Sequence, residues 1–313
     1  MRRALGRVGS GRHTVPIACL IAVSAPLALR DGYTLHLLNV VGIYVILSVS
    51  LNVSVGMAGL LHLGHASFYG IGAYVGAIAS TRILPGSGAG FWIGFPLVIV
   101  VGLMGGALLG APSLRLKGHY FAIATLGFGE ITRSLMLNLV SITNGPFGIK
   151  AIPSPKIGSL DLGPRERFYY LTLVIVALTL VTVGNLQRGR FGRFWESVRE
   201  DEIVAQVMGV NVYAAKLSAL MISSALAGIA GWLYAHYVSY INPSNFSMDE
   251  SILILCMVVL GGRGRLWGPV AGTALLVLIP EILRPVAEFR LLMYGIALAA
   301  LMAYRPEGLV NTR

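Results

Sequence analysis

Two pairs of residues in this chain have the types and spacing to do chemistry in an apolar setting: Glu130 with Arg133, and His62 with His65. A carboxylate and a guanidinium three residues apart share one face of a helix. They form either an intrahelical ion pair that fixes packing or, with Tyr120, Thr125 and Thr132, the polar wall of a path for a small solute. The two histidines, read on a helix with Ser67 nearby, share a face as well. They either donate to neighbouring carbonyls or touch the solute directly. Neither pair has enough partners for a metal site, and no cofactor is expected. The chain has no GxxxxGKS/T phosphate loop, no HExxH, no GxSxG and no tetrahedral Cys/His set. An enzyme is therefore disfavoured, and vectorial work would need an ion gradient or a separate energy-supplying subunit.

A third feature is charged throughout. The insert Arg188–Gly209, RGRFGRFWESVREDEIVAQVMG, carries eight charged residues between two long apolar stretches. It reads as a short helix from Phe194 to Met208, closed by Gly209 at a position where helices commonly end. Trp195, Val198, Ile203, Val204, Val207 and Met208 give it apolar surface. Phe191, Phe194 and Trp195 are expected to be exposed, which a loop has little reason to tolerate unless a partner covers them. The alternative is a solvated loop helix with no partner.

The elements that must position these residues follow from composition. Hydrophobic residues make up 56% of the 313, only 12% are charged, and the mean hydropathy is +0.76. A soluble domain has about 25% charged residues, so most of this surface meets membrane lipid. Apolar runs near the ~20 residues needed to cross the hydrocarbon core fall at 15–30, 34–55, 57–80, 91–111, 119–141, 168–186, 214–239, 249–261, 267–283 and 289–304. The expectation is one all-α polytopic domain, 1–313, of about ten transmembrane helices. Glu130 then lies about 16 Å along its helix from His119 at ~1.5 Å per residue, near mid-bilayer. There an ionisable group must be paired or face water.

With the N-terminus inside, fifteen of the 24 Lys and Arg fall on inner segments and eight on outer ones. Arg133 is within a span. This satisfies the positive-inside rule with both termini cytoplasmic. The net charge of +11 is then mostly topology, and a nucleic-acid partner is disfavoured. Met1–Arg30 has a basic start and an apolar run, and is read as a retained first helix rather than a cleaved signal. Cys19 and Cys256 fall in spans and serve as small apolar residues.

Glycines spaced by four (Gly72 and Gly76, Gly102 and Gly106, Gly106 and Gly110, Gly268 and Gly272) let helix backbones approach closely. Two apolar stretches are interrupted, at Gly56–Gly76 and at Asp249–Gly272. Interrupted spans at corresponding points of two halves point to a transporter's central site and suggest inverted pseudo-repeats.

Five stretches carry a resemblance to a known family: LHLGHASFYGIGAYVGA at 61–77, LRLKGHYFAIATLGFGEITR at 114–133, TNGPFGI at 143–149, GRFWESVREDEIVAQVMGVNVYAAKLSALMISSALAGIAGWLYAH at 192–236, and VVLGGRGRLWGPVAGTALL at 258–276. Together they resemble the LivM-type permease subunit of branched-chain amino acid ABC importers, over roughly residues 30–310. The resemblance implies a multi-pass permease of the bacterial inner membrane without its own ATPase. It would pair with a second homologous permease, two cytoplasmic ATP-binding subunits and a periplasmic substrate-binding protein. Residues 187–213 would form the coupling loop that docks on the ATPase, with Gly192, Arg199, Glu200, Glu202, Ala205 and Gly209 at matching positions of the motif. Phe194 and Trp195 stand where the family often has smaller residues. The loop 143–167 would meet the binding protein. Similar permeases serve urea, short amides or aromatic acids, so these remain alternative substrates. A gradient-driven secondary transporter is the alternative mechanism, with Glu130 as its candidate group.

Overall fold

The computed structural model describes residues 32–84, 88–116, 118–158 and 160–282. The expected spans at 15–30 and 289–304, Cys19 and both termini lie outside the described residues. Four described helical segments are long and apolar enough to cross a membrane: Gly32–Met57, Ala89–Ser113, Arg165–Arg188 and Val212–Val238. In chain order the helices are α1 (Gly32–Asn52, continued by a π-helical turn Val53–Met57), α2 (His65–Ile78, continued by a π-helical turn Ala79–Ile83), α3 (Ala89–Ser113), α4 (His119–Asn138), α5 (Val140–Thr143), α6 (Arg165–Arg188), α7 (Arg190–Glu200), α8 (Glu202–Val207), α9 (Val212–Val238), α10 (Met248–Gly261) and α11 (Trp267–Ile282).

Burial sorts these helices into a centre and a rim. The apolar windows of Gly32–Met57 and α9 are 78% and 72% buried, whereas those of α3 and α6 are 33% and 28% buried. Met104 and Leu108 of α3, with Val174, Leu178 and Val181 of α6, are exposed. An apolar outer face of this extent is anomalous in water and ordinary against lipid, where the chain is an integral membrane protein.

Helix α9 is the axis, and the four-residue glycine spacing explains how α2 and α3 reach it. A Cβ at Gly72 would fall on the backbone of Gly228, and one at Gly102 would lie 2.7 Å from the Cα of Ala225. Without Cβ atoms the helices approach backbone to backbone, which is how packing substitutes for the hydrophobic effect in lipid. Next to that seam Trp232 is fully buried. It stacks on Phe91 at 4.1 Å between centroids and donates Nε1–H to the Phe91 carbonyl at 3.1 Å. Gly272 fits in the same way against α10, where a Cβ would lie 3.0 Å from the Cα of Gly261. Ser48 of α1 and Thr273 of α11 join hydroxyls at 2.7 Å, and Cys256 is buried among apolar neighbours.

The two ends of the bundle differ. One end gathers the connection between α3 and α4, the charged helices α7 and α8, and the loop between α10 and α11. The other carries the small pieces of β-structure. There β1 (Ile149–Lys150) pairs antiparallel with β4 (Tyr240–Ile241), and β2 (Lys156–Ile157) with β3 (Leu160–Asp161). In that hairpin region the Gly163 N–H and then the Ser154 hydroxyl donate to Asp161 and hold its carboxyl below the usual carboxylate range.

Three expectations are corrected. Residues 57–80 are not one helix: residues 58–64 are non-helical and α2 begins only at His65. The span expected at 119–141 ends at Asn138, followed by the separate turn of α5. The insert is not one helix from Phe194 to Met208 but two, broken at Asp201, whose extended backbone (φ −157°, ψ 114°) lets its carboxylate accept from the Ile203 and Val204 N–H groups at 2.8 and 3.0 Å. An aspartate placed to cap a new helix start is more stable there than in the middle of a helix.

Candidate functional site

The broken span is where the polar residues converge. The π-helical turn Val53–Met57 ends α1, and Gly59 (φ +73°) turns the chain out of the helix. The Leu63 N–H then donates to Thr125 Oγ1 of α4 at 3.0 Å, and Gly64 presses on the Thr125 carbonyl so closely that a Cβ would collide with it. At the start of α2 the Ala66 N–H donates to Ser251 Oγ of α10 at 3.0 Å. Ser251 lies about 15 Å along α10 from Gly261 at ~1.5 Å per residue. Helix α2 therefore begins deep in the bundle. Non-helical backbone at such depth is tolerated where protein surrounds it, and His62 and Gly64 are buried.

Where the start of α2, the middle of α4 and the start of α10 meet there is a cleft lined by Gly64, Ser67, Gly129, Glu130, Ser247 and Ser251, among others. Its water-accessible space is about 10 Å³, room for one water and too little for an amino acid. In this conformation the cleft is closed to solutes.

Of the polar residues expected to line a path, the structure brings Ser67 and Glu130 to this cleft and sets Thr125 behind it. Arg133 pairs with Glu130, Nη2 to Oε2 at 3.0 Å, with the side chains 34% and 51% exposed. The pair thus neutralises itself and still presents a carboxylate edge to the cleft. His62 and His65 do not share a helical face, because His62 precedes the helix. Their rings meet edge to face at 5.4 Å, and His65 Nε2 bonds with Ser50 Oγ at 2.7 Å. Both are fully buried, off the cleft. Tyr120 is at the far end of α4, 71% exposed.

The contribution of α10 goes beyond what the sequence pattern suggests. Ser247 and Ser251 line the cleft, and Glu250 beside them keeps Oε1 buried without a hydrogen-bond partner. The run SMDES at 247–251, polar at the mouth of an apolar helix, is the one signal of it in the sequence.

At the loop end, α7 and α8 divide their residues sharply. Trp195 is not exposed, contrary to what its place in a charged loop suggests. It is fully buried and donates Nε1–H to Ser218 Oγ of α9 at 3.1 Å. Gly192, Val198 and Ala205 are buried as well, so these positions seat the insert on the bundle. Phe191 and Phe194 are partly exposed, while Ile203, Val204, Val207 and Met208 of α8 and its C-terminus stand out at 75%, 59%, 81% and 78% exposure. Glu202 pairs with Lys216 at 2.5 Å, and Gly209 takes φ +84° to end the unit. Beside it an open groove of about 720 Å³ is lined by Arg115, Glu202, Asn211 and Lys216 among others. Replacing Asp201 by Ala removes the cap of α8 and is expected to destabilise it by about 1 kcal/mol. Faster hydrogen exchange of the 203 and 204 amides, with the rest of the bundle unchanged, would be the signature.

A family model described as branched-chain amino acid transport system / permease component matches residues 33–303. The high-affinity branched-chain amino acid transport system permease protein LivM of Salmonella typhimurium is 39% identical over 314 residues, covering 93% of this chain and 73% of that protein. The LivH permease protein of the corresponding Escherichia coli system is 26% identical, covering 74% and 79%. The autoinducer 2 import system permease protein LsrC of Yersinia enterocolitica is 26% identical, covering 80% and 65%. No solved structure matches the chain. A match across nearly all the described helices, including the broken span and the charged insert, means that this chain belongs to the family of permease components of branched-chain amino acid transport systems and is a transport subunit rather than an enzyme.

Proposed function

We propose that the chain is the permease subunit of an ATP-driven importer that carries branched-chain amino acids, or a related small polar solute, across the bacterial inner membrane. In this reading about ten helices span the membrane in inverted pseudo-repeats, with both termini cytoplasmic. The loop end of the bundle then faces the cytoplasm. Residues 187–213 are the coupling loop, and 143–167 meet a periplasmic substrate-binding protein. A second homologous permease and two ATP-binding subunits complete the assembly. The similarity to both LivM and LivH permeases supports the pairing of two such chains.

The observation that carries the reading is the discontinuous span at 58–64. A helix that starts inside the membrane directs its first backbone N–H groups at the interior, and such half-helices form the substrate sites of many transporters. Ser67, Glu130, Ser247 and Ser251 surround that start and serve as the polar lining, with Arg133 paired to Glu130 at 3.0 Å. Opening of the closed cleft by ATP-driven approach of the ATPases gives alternating access.

The test is uptake of labelled L-leucine into proteoliposomes holding both permeases and both ATPases, with the binding protein added. Uptake that requires ATP and falls at least tenfold in Glu130→Gln with Ser251→Ala supports the reading. Uptake indifferent to ATP but abolished by an uncoupler would assign a gradient-driven carrier instead. ATP-dependent uptake of urea, short amides or aromatic acids with none of leucine would keep the mechanism and replace the substrate.

A further inference from the structure

Besides Trp195, which anchors α7 to α9, one charged side chain of the coupling helix reaches the broken end of α1. Arg199 belongs to the charged insert, and a guanidinium there has the obvious use of meeting a partner's acids. Its Nη1 instead turns inward and donates to the Gly56 carbonyl at 2.9 Å. Nη2 holds Glu200 at 2.8 Å on the outer side. Gly56 lies in the π-helical turn that ends α1, where backbone carbonyls lack helical partners and a cation is favoured by the helix dipole.

A third strand of chain locks into the same point. The Gly264 N–H, in the loop between α10 and α11, donates to Asn52 Oδ1 at 2.9 Å, and Asn52 Nδ2 donates to the Arg265 carbonyl at 2.9 Å. Gln187, in the last turn of α6, donates to the Gly264 carbonyl at 3.0 Å. Space is minimal: a Cβ at Gly264 would lie 2.5 Å from Arg199 Nη1 and 2.9 Å from the Gly56 carbonyl oxygen, and one at Gly59 would lie 3.1 Å from Arg199 Cγ. The two interrupted stretches of the sequence therefore meet each other, and they meet at Arg199.

From this junction the chain runs in two directions to the cleft. Gly56 continues through residues 58–64 to the start of α2, and Gly264 connects to α10, whose far end bears Ser247 and Ser251. A displacement of α7 would act on both walls at once.

We propose that Arg199 is a positioning residue for transport: it transmits movement of the coupling loop to the π-helical turn and the 262–265 loop, and so to the cleft, and takes no part in holding the ATPase. This rests on the coupling-loop reading above. In the complete reconstituted importer, R199A is expected to retain its ATPase subunits and to hydrolyse ATP within about twofold of wild type. L-leucine uptake falls about tenfold, as loss of a charge-assisted hydrogen bond implies. R199K, which keeps the charge on a compact ammonium but lacks the planar fork, loses less. Q187A, which removes a neighbouring bond of the same junction without touching the insert's outer face, shows the same split between hydrolysis and uptake.

Loss of ATPase subunits from R199A would make Arg199 a docking residue and overturn the proposal. So would wild-type uptake by R199A. If R199A does not accumulate in the membrane, R199K and Q187A decide: reduced uptake with intact hydrolysis supports the proposal, and unchanged uptake overturns it. Failure of the underlying reading has a separate signature, namely retention of the ATPase subunits when the exposed face of α8 is made acidic.

Discussion

On the coupling-loop reading, an importer carrying Ile203→Asp together with Val207→Asp is expected to lose its ATPase subunits while its permease stays folded. The two residues lie four apart on one face of α8, 75% and 81% exposed, so replacing them removes almost no internal packing. Surface changes of that kind usually alter stability by no more than about 0.5 kcal/mol, and an acid at position 203 sits in a first turn, where the helix dipole favours it. What they change is the outer face, where four apolar side chains stand in water beside a cluster of charge. Apolar anchors at the centre of an interface are worth about 2 kcal/mol each. Losing two weakens association by about 4 kcal/mol, roughly a thousandfold. Equilibrium binding of the purified ATPase to the permease pair in nanodiscs reads this directly, and the melting temperature of the permease serves as the internal control. Undiminished binding with unchanged melting would take the docking surface off the insert and overturn the coupling-loop reading.

Gly72→Val should be the most damaging substitution in the core of the bundle. The added Cβ would fall on the Gly228 backbone, and a helix backbone cannot turn aside as a flexible side chain does. Helices α2 and α9 would have to separate, undoing the packing of Gly76 on Trp232 and of Gly231 on Tyr69. Overpacking of this kind costs about 1–3 kcal/mol where side chains can adjust and more where only backbone is available. The expected result is little or no monodisperse protein in detergent. Gly127→Ala is the matched control, because no atom lies within 4 Å of a Cβ there, and near-normal yield is expected from it. Equal yields from the two variants would mean that α2 and α9 do not cross where Gly72 and Gly228 meet.

Part of the site is legible in the sequence and part is not, for reasons visible in single residues. Glu130 and Arg133 are neighbours on one helix, so spacing alone is enough to pair them. Gly209 ends a helical unit wherever that unit packs. Trp195 departs from expectation because a charged sequence environment says nothing about the groove of α9 into which its ring fits. His62 and His65 depart from it because a shared face requires a helix that the chain abandons at Gly59. Ser251 gives little sign of itself because its importance lies in a bond to Ala66, in another span.

By itself, the sequence determined that the chain lives in a membrane, that it is helical, where most described helices run, and that a charged unit interrupts them. Lipid imposes these features locally: every backbone group must be satisfied within its own segment, and each segment must be about 20 apolar residues long. Tertiary structure alone decided that residues 58–64 leave the helix, that Trp195 faces inward, and that Arg199 closes a junction between Gly56 and Gly264. Those outcomes depend on contacts such as that of Asn52 with Gly264, 212 positions apart. No helical periodicity can encode them, because they are set by which distant backbone and side-chain groups the packing brings within hydrogen-bonding distance.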